Sequence, residues 1–196
     1  MKKILFLHGF FASGSCPLAV TLREELQDTA EVLSPDLPID PHQALREILQ
    51  ICRTERPDLL VGNSCGAFYA HLVSQQTGIP ALLGNPHFAM TRFLSDRLGD
   101  HEYKSLRLDR QQNFTINPGL VASFAMLEEE QFLAEKKISR EKIWGLFGEN
   151  DTLAHYEPIF LKHYTHSFHF PGAHTPTELE VKKWYVPLVR KMLGCY

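Results

Sequence analysis

The sequence predicts an α/β fold, with a mostly parallel six-stranded sheet and helices on both faces. Three observations carry that expectation. Short, continuously apolar runs recur along the 196 residues, among them "KKILFL", "DLLVG" and "EKIWGLFG". Such runs suit strands buried on both faces, the usual condition of a parallel sheet. Segments with helical periodicity alternate with them, which places helices on both sides of the sheet. The composition, 44% hydrophobic and 22% charged, can supply a buried core and argues against a disordered chain.

The elements follow in order. "KKILFLHGF" is the first strand, ending at Gly9. "PLAVTLREELQD" is a helix, with Leu18, Leu22 and Leu26 on one face and a proline suited to a first turn. "AEVLSPDLP" is a strand stopped by its prolines. "PHQALREILQICRTE" is a helix with Ala44, Ile48 and either Ile51 or Cys52 facing inward. "DLLVGNS" is the third strand and runs into the helix "CGAFYAHLVSQQTG", which Gly78 closes. "IPALLGNP", "EKIWGLFGEND" and the weaker "HSFHFPGAH" complete the strands. The last helix, "PTELEVKKWYVPLVRKML", is broken or kinked at Pro187. Between Pro86 and Glu141 no strand pattern stands out, and "PGLVASFAMLEEEQFLAEKK" reads as an amphipathic helix with Leu120, Val121, Phe124 and Leu127 on one side. So long a stretch predicts an inserted helical cap, at about residues 87–140, over a site. With no repeat or linker, residues 1–196 are expected to form one domain.

Charge and cysteines narrow the class. The formal net charge is −3, with no basic stripe, so no nucleic-acid partner is expected. The apolar run after Lys2 and Lys3 is too short for a signal peptide or a membrane span. Cys16, Cys52, Cys65 and Cys195 lie far apart, without a disulfide or metal-binding spacing. A cytoplasmic protein with reduced thiols and no membrane partner is expected. No phosphate-loop or dinucleotide motif and no metal-ligand cluster stands out, so no metal or cofactor is expected.

"VGNSCG" concentrates the chemistry. Gly62-Asn63-Ser64-Cys65-Gly66 fits G-x-S-x-G, a pattern that chance alone produces in on the order of several per cent of chains this long. Its setting, strand before and helix after, adds weight. A turn this sharp projects its central side chain above the sheet and leaves room only for small residues at Gly62 and Gly66. The centre is Ser64, which makes it the candidate nucleophile. Cys65 then begins the helix and offers its backbone N–H at the positive helix end. Of ten histidines, His174 in "FPGAHT" follows the last strand, where a base is wanted. "FGENDTLA" supplies Asp151, with Glu149 as rival, to orient it. In the loop "HGFFASGS", Gly9 would let the chain bend and the N–H of Phe10 would complete an oxyanion site. His8 reads as a loop-bonding residue, and Gly14 and its serines read as flexible. His87 and Phe11 are candidates to line a pocket.

"LFLHGF", "VGNSCG", "LLGNP", "FGENDTL" and "GAH", in that order, resemble an α/β-hydrolase. The compact length and the "NP" after the fourth strand resemble more narrowly the YqiA-type esterases of bacteria. The resemblance implies a sheet order of 2-1-3-4-5-6, and hydrolysis of carboxylic esters, or of acyl thioesters, by Ser64, His174 and Asp151. The phenylalanine, leucine and methionine residues of the inserted stretch suit an apolar acyl pocket or packing against the sheet equally, and short to medium acyl chains are the expectation. The partner is then a small-molecule ester or thioester. Cys65 departs from the apolar residue such esterases often carry there. Two alternatives stay open: a non-catalytic binder of a small apolar ligand, and a C–C bond hydrolase or perhydrolase using the same residues.

Overall fold

The computed structural model describes residues 1–133 and 139–195. Six parallel strands form the main sheet: β1 (Lys2–Leu7), β2 (Ala30–Leu33), β3 (Leu59–Asn63), β4 (Ala81–Gly84), β7 (Ile143–Gly148) and β8 (His166–Phe170). Their order is β2-β1-β3-β4-β7-β8, which is the expected 2-1-3-4-5-6 when these six strands alone are counted. The sheet is buried on both faces, and β1 shows how. Leu5 and Leu7 face one apolar cluster while Ile4 and Phe6 face the other, as the two-residue strand period requires.

Helices α2 (Pro41–Glu55) and α3 (Cys65–Thr77) cover the first face, with Ala44, Ile48 and Phe68 fully buried. Cys52 is buried and Ile51 only partly so, which settles the inward position of α2. The Asp40 side chain caps α2 by accepting the Gln43 N–H at 2.7 Å. Helix α1 (Pro17–Leu26) covers the second face through Leu18, Leu22 and Leu26. The C-terminal helix joins it there as a short helical turn (Glu178–Glu180), a π-helical turn (Val181–Tyr185) and a final α-helical stretch (Val186–Leu193). The widened turn ends two residues before Pro187, which has no N–H for the ordinary α-helical bond and whose ring crowds the preceding turn.

The long stretch between β4 and β7 corrects one expectation. It holds α4 (Met90–Ser95) and α5 (Pro118–Glu129), but also an antiparallel hairpin of β5 (Gly99–Glu102) and β6 (Asn113–Ile116). "GDHE" carries no apolar alternation and none of its residues is buried, so no pattern announced it. The hairpin is held by its ladder and by Phe114, whose ring meets Phe10, Phe11 and Tyr103. Leu120, Phe124 and Leu127 of α5 are buried, with Val121 packed beside them. The expected continuation of this helix falls partly on residues 134–138, outside the described residues. Among the described residues no helix is long and apolar enough to cross a membrane.

Candidate active site

The turn between β3 and α3 is tight enough to dictate its residues. Ser64 has φ 57° and ψ −119°, a conformation that costs a non-glycine residue on the order of 1–3 kcal/mol. A Cβ on Gly62 would lie 2.3 Å from the Gly66 carbonyl oxygen, and one on Gly66 would lie 1.9 Å from that of Leu7. Both positions are therefore closed to any side chain. The Ser64 N–H donates to the Gly84 carbonyl at 2.9 Å, tying the turn to the end of β4.

Three side chains from distant segments meet at this turn. The Ser64 Oγ lies 2.7 Å from His174 Nε2, and His174 Nδ1 lies 2.8 Å from Asp151 Oδ2. The other carboxylate oxygen of Asp151 accepts the N–H groups of Leu153 at 2.7 Å and Ala154 at 3.1 Å. Burial raises the Asp151 pKa, but the His174 contact and these amides outweigh it, so the carboxyl titrates below its ordinary value. Glu149 is exposed, and the structure thus separates the two carboxylates. An ionised carboxylate, an imidazole and a hydroxyl in this sequence can move a proton from the hydroxyl to the imidazole and stabilise the cation that forms.

Cys65 is fully enclosed beside Tyr69, and burial pushes its thiol pKa far up, so the side chain is no thiolate. Its backbone is better placed. Among the described residues neither the Cys65 nor the Phe10 N–H donates to a protein acceptor. A cavity of about 10 Å³ beside them is lined by His8, Gly9, Leu37, Tyr69 and Tyr103 as well as by Phe10 and Cys65. That is space for at most one water.

The preceding loop corrects two readings. Gly9 lacks a positive φ, and a Cβ there would sit 3.7 Å from Ser64 Cβ, an ordinary contact, so the bend does not need glycine. Gly14 is not a flexible point. A Cβ on it would strike the Ser34 carbonyl oxygen at 2.2 Å, and Ser13 Oγ bonds Ser105 Oγ and the Leu106 carbonyl of the stretch between β4 and β7. His8 joins two loops: Nδ1 donates to the Gly9 carbonyl at 2.8 Å, and Nε2 accepts the Leu37 N–H at 3.0 Å. Burial lowers its pKa to about 4, consistent with that neutral tautomer.

His87 is buried next to the turn. Its N–H reaches the Ser64 carbonyl at 3.4 Å, and its ring packs between Phe93 and Tyr156 with centroids 4.9 and 5.0 Å away. Burial, and then the nearby His174, lower its pKa to about 4. Phe11 lays its ring against Phe93, His101 and Phe114 of the stretch between β4 and β7. Sequence reasoning missed Asn63, Asn85 and Tyr185, whose side chains bond to one another or to the His174 loop. The available signal was the repeated Gly-Asn at the ends of β3 and β4. Among the described residues no group of three or more His, Cys, Asp or Glu side chains could hold a metal ion.

The sequence model of the uncharacterised protein family UPF0227 matches residues 3–168. The chain belongs to that family. Solved structures show which fold this UPF0227 member has. It is similar to Est1E from Butyrivibrio proteoclasticus, solved with ferulic acid bound, at 14% identity and a TM-score of 0.71 over 99% of this chain and 90% of that one. It is similar to a monoacylglycerol lipase of Paleococcus ferrophilus at 13% identity and a TM-score of 0.68, covering 98% and 94% of the two chains. It is also similar to the esterase domain of a Rhodothermus marinus protein, at 17% identity and a TM-score of 0.66, covering 95% and 84%. The shared architecture is the α/β-hydrolase fold.

Proposed function

We propose that this UPF0227 protein is a serine hydrolase acting on carboxylic esters with short to medium acyl chains, or on acyl thioesters. The observation that carries this reading is the unbroken contact from Ser64 Oγ through the His174 ring to Asp151 Oδ2, at 2.7 and 2.8 Å, beneath a strained Ser64 backbone. A simple binding protein gains nothing from that strain. His174 takes the Ser64 proton as Oγ attacks the carbonyl carbon. The Phe10 and Cys65 N–H groups receive the oxyanion, and Asp151 holds the imidazole and stabilises its charged form. His174 then gives its proton to the departing alcohol or thiol. Water repeats the sequence on the acyl-enzyme, releasing the acid and restoring Ser64. The esterases and lipase among the structural neighbours support this chemistry.

The stretch at about 87–140 serves in this reading as a cap, with Phe11 and His87 as pocket walls. Labelling with a fluorophosphonate, followed by mass mapping, tests the proposal directly. An adduct on Ser64 is expected. A folded protein without one overturns the reading. A series of p-nitrophenyl esters and acyl thioesters then sets the acyl preference.

A further inference from the structure

Two neighbouring strands end in the same dipeptide. Gly62-Asn63 closes β3, Gly84 closes β4 with Asn85 directly after it, and the register sets Asn63 against Gly84. Asn85 is 1% exposed and has φ 40°, a left-handed conformation that asparagine tolerates better than most residues. Its Nδ2 donates to the carbonyls of Ala173 and His174, each at 3.0 Å. Its Oδ1 accepts the Gly148 N–H at 2.6 Å. One carboxamide thus links the end of β4, the start of the loop that carries Asp151, and the main chain of His174. Asn63 adds to the linkage from β3: its Nδ2 lies 3.5 Å from the same His174 carbonyl, and its Oδ1 accepts the Tyr185 hydroxyl at 2.9 Å. Gly84 leaves space for that hydroxyl, since a Cβ there would lie 2.1 Å from it.

We propose that Asn85 is a positioning residue of this site, fixing the His174 main chain so that the imidazole meets Ser64 and Asp151 at once. The proposal rests on the serine-hydrolase reading for its catalytic meaning. The surroundings define the amide's orientation, because only an NH₂ can serve two carbonyls and only an oxygen can serve an N–H. Aspartate, ionised, would turn an oxygen towards two carbonyl oxygens. Alanine would leave the Gly148 N–H and two carbonyls without this partner. Neither change touches Ser64, Asp151 or the His174 ring. A displacement near 1 Å at a reacting group costs about 10²-fold in rate, and that is the expected size of the effect.

The test compares wild type with Asn85→Ala and Asn85→Asp at pH 8, below the melting temperature of each. Two readouts are taken: the fluorophosphonate labelling rate at Ser64 per folded molecule, and the low-field proton NMR signal of His174 Nδ1–H bonded to Asp151. Labelling about 10²-fold slower, with the low-field proton lost or displaced, is expected in both variants. If alanine prevents folding, the isosteric aspartate carries the comparison. Variants that only melt earlier, with labelling rate and low-field proton unchanged, overturn the proposal. A folded wild type that takes no label counts instead against the hydrolase reading. The proton signal, which needs neither substrate nor probe, then still decides whether Asn85 positions His174.

Discussion

At the scale of single residues, adjacent Ser64 and Cys65 receive opposite environments. Ser64 Oγ lies at 2.7 Å from His174 Nε2, whereas the Cys65 thiol is enclosed and burial raises its pKa. Ser64→Ala should lower kcat by about 10⁴-fold or more on whichever ester proves to be a substrate, with little loss of melting temperature. Iodoacetamide at pH 8 should leave Cys65 unmodified in the native protein and alkylate it once guanidinium has unfolded the chain. The half-buried Cys195 should react first. Mass mapping against time reads both outcomes, and early native alkylation of Cys65 would contradict the protonated, enclosed thiol. Glu149 and Asp151 show what a spacing argument lacks. Both follow β7, and only the fold shows which carboxylate turns inward.

At the scale of elements, glycines divide into those the packing demands and those it tolerates. Gly66→Ala places a methyl 1.9 Å from a backbone oxygen of β1, which neither partner can yield without separating α3 from the sheet. A loss of more than ~3 kcal/mol, or failure to fold, is expected. Gly9→Ala meets nothing nearer than 3.7 Å and should fold with a melting temperature close to wild type. Thermal unfolding followed by circular dichroism separates the two, and equal losses would refute the distinction. The strands of the main sheet and the long helices were readable because each repeats an apolar pattern over enough residues to fix its period. The β5–β6 hairpin was not, because "GDHE" is shaped by its ladder and by aromatic contacts from elsewhere, not by a pattern of its own.

Across the whole molecule, buried histidines couple stability to acid. Burial lowers the pKa of His8 to about 4 and that of His71 to about 3. His71 Nε2 pairs with the Tyr164 hydroxyl at 2.6 Å in the core. Between the unfolded value of 6.5 and these folded values, the unfolded chain binds protons that the native chain does not. Stability is therefore fully present above pH 6.5 and is lost as pH falls, by on the order of 3 kcal/mol per histidine at pH 4. The melting temperature should drop steeply between pH 6.5 and 4. His71→Phe should flatten that slope whatever it does to the neutral-pH value, and a parallel slope would exclude His71 as a contributor.

Periodicity, turn chemistry and chain order are local properties, and the sequence sufficed for them. It placed the strands of the main sheet, the long helices, the strained turn at Ser64 and the order Ser64, Asp151, His174. Proximity is not local. The 2.7 and 2.8 Å contacts join residues separated by 110 and 23 positions, and they exist only because parallel strands deliver their following loops to one edge of the sheet. The linkage through Asn85, the selection of Asp151 over Glu149 and the hairpin over the first loop arise in the same way. Each depends on hydrogen bonds and contacts between segments that meet only after the sheet has formed.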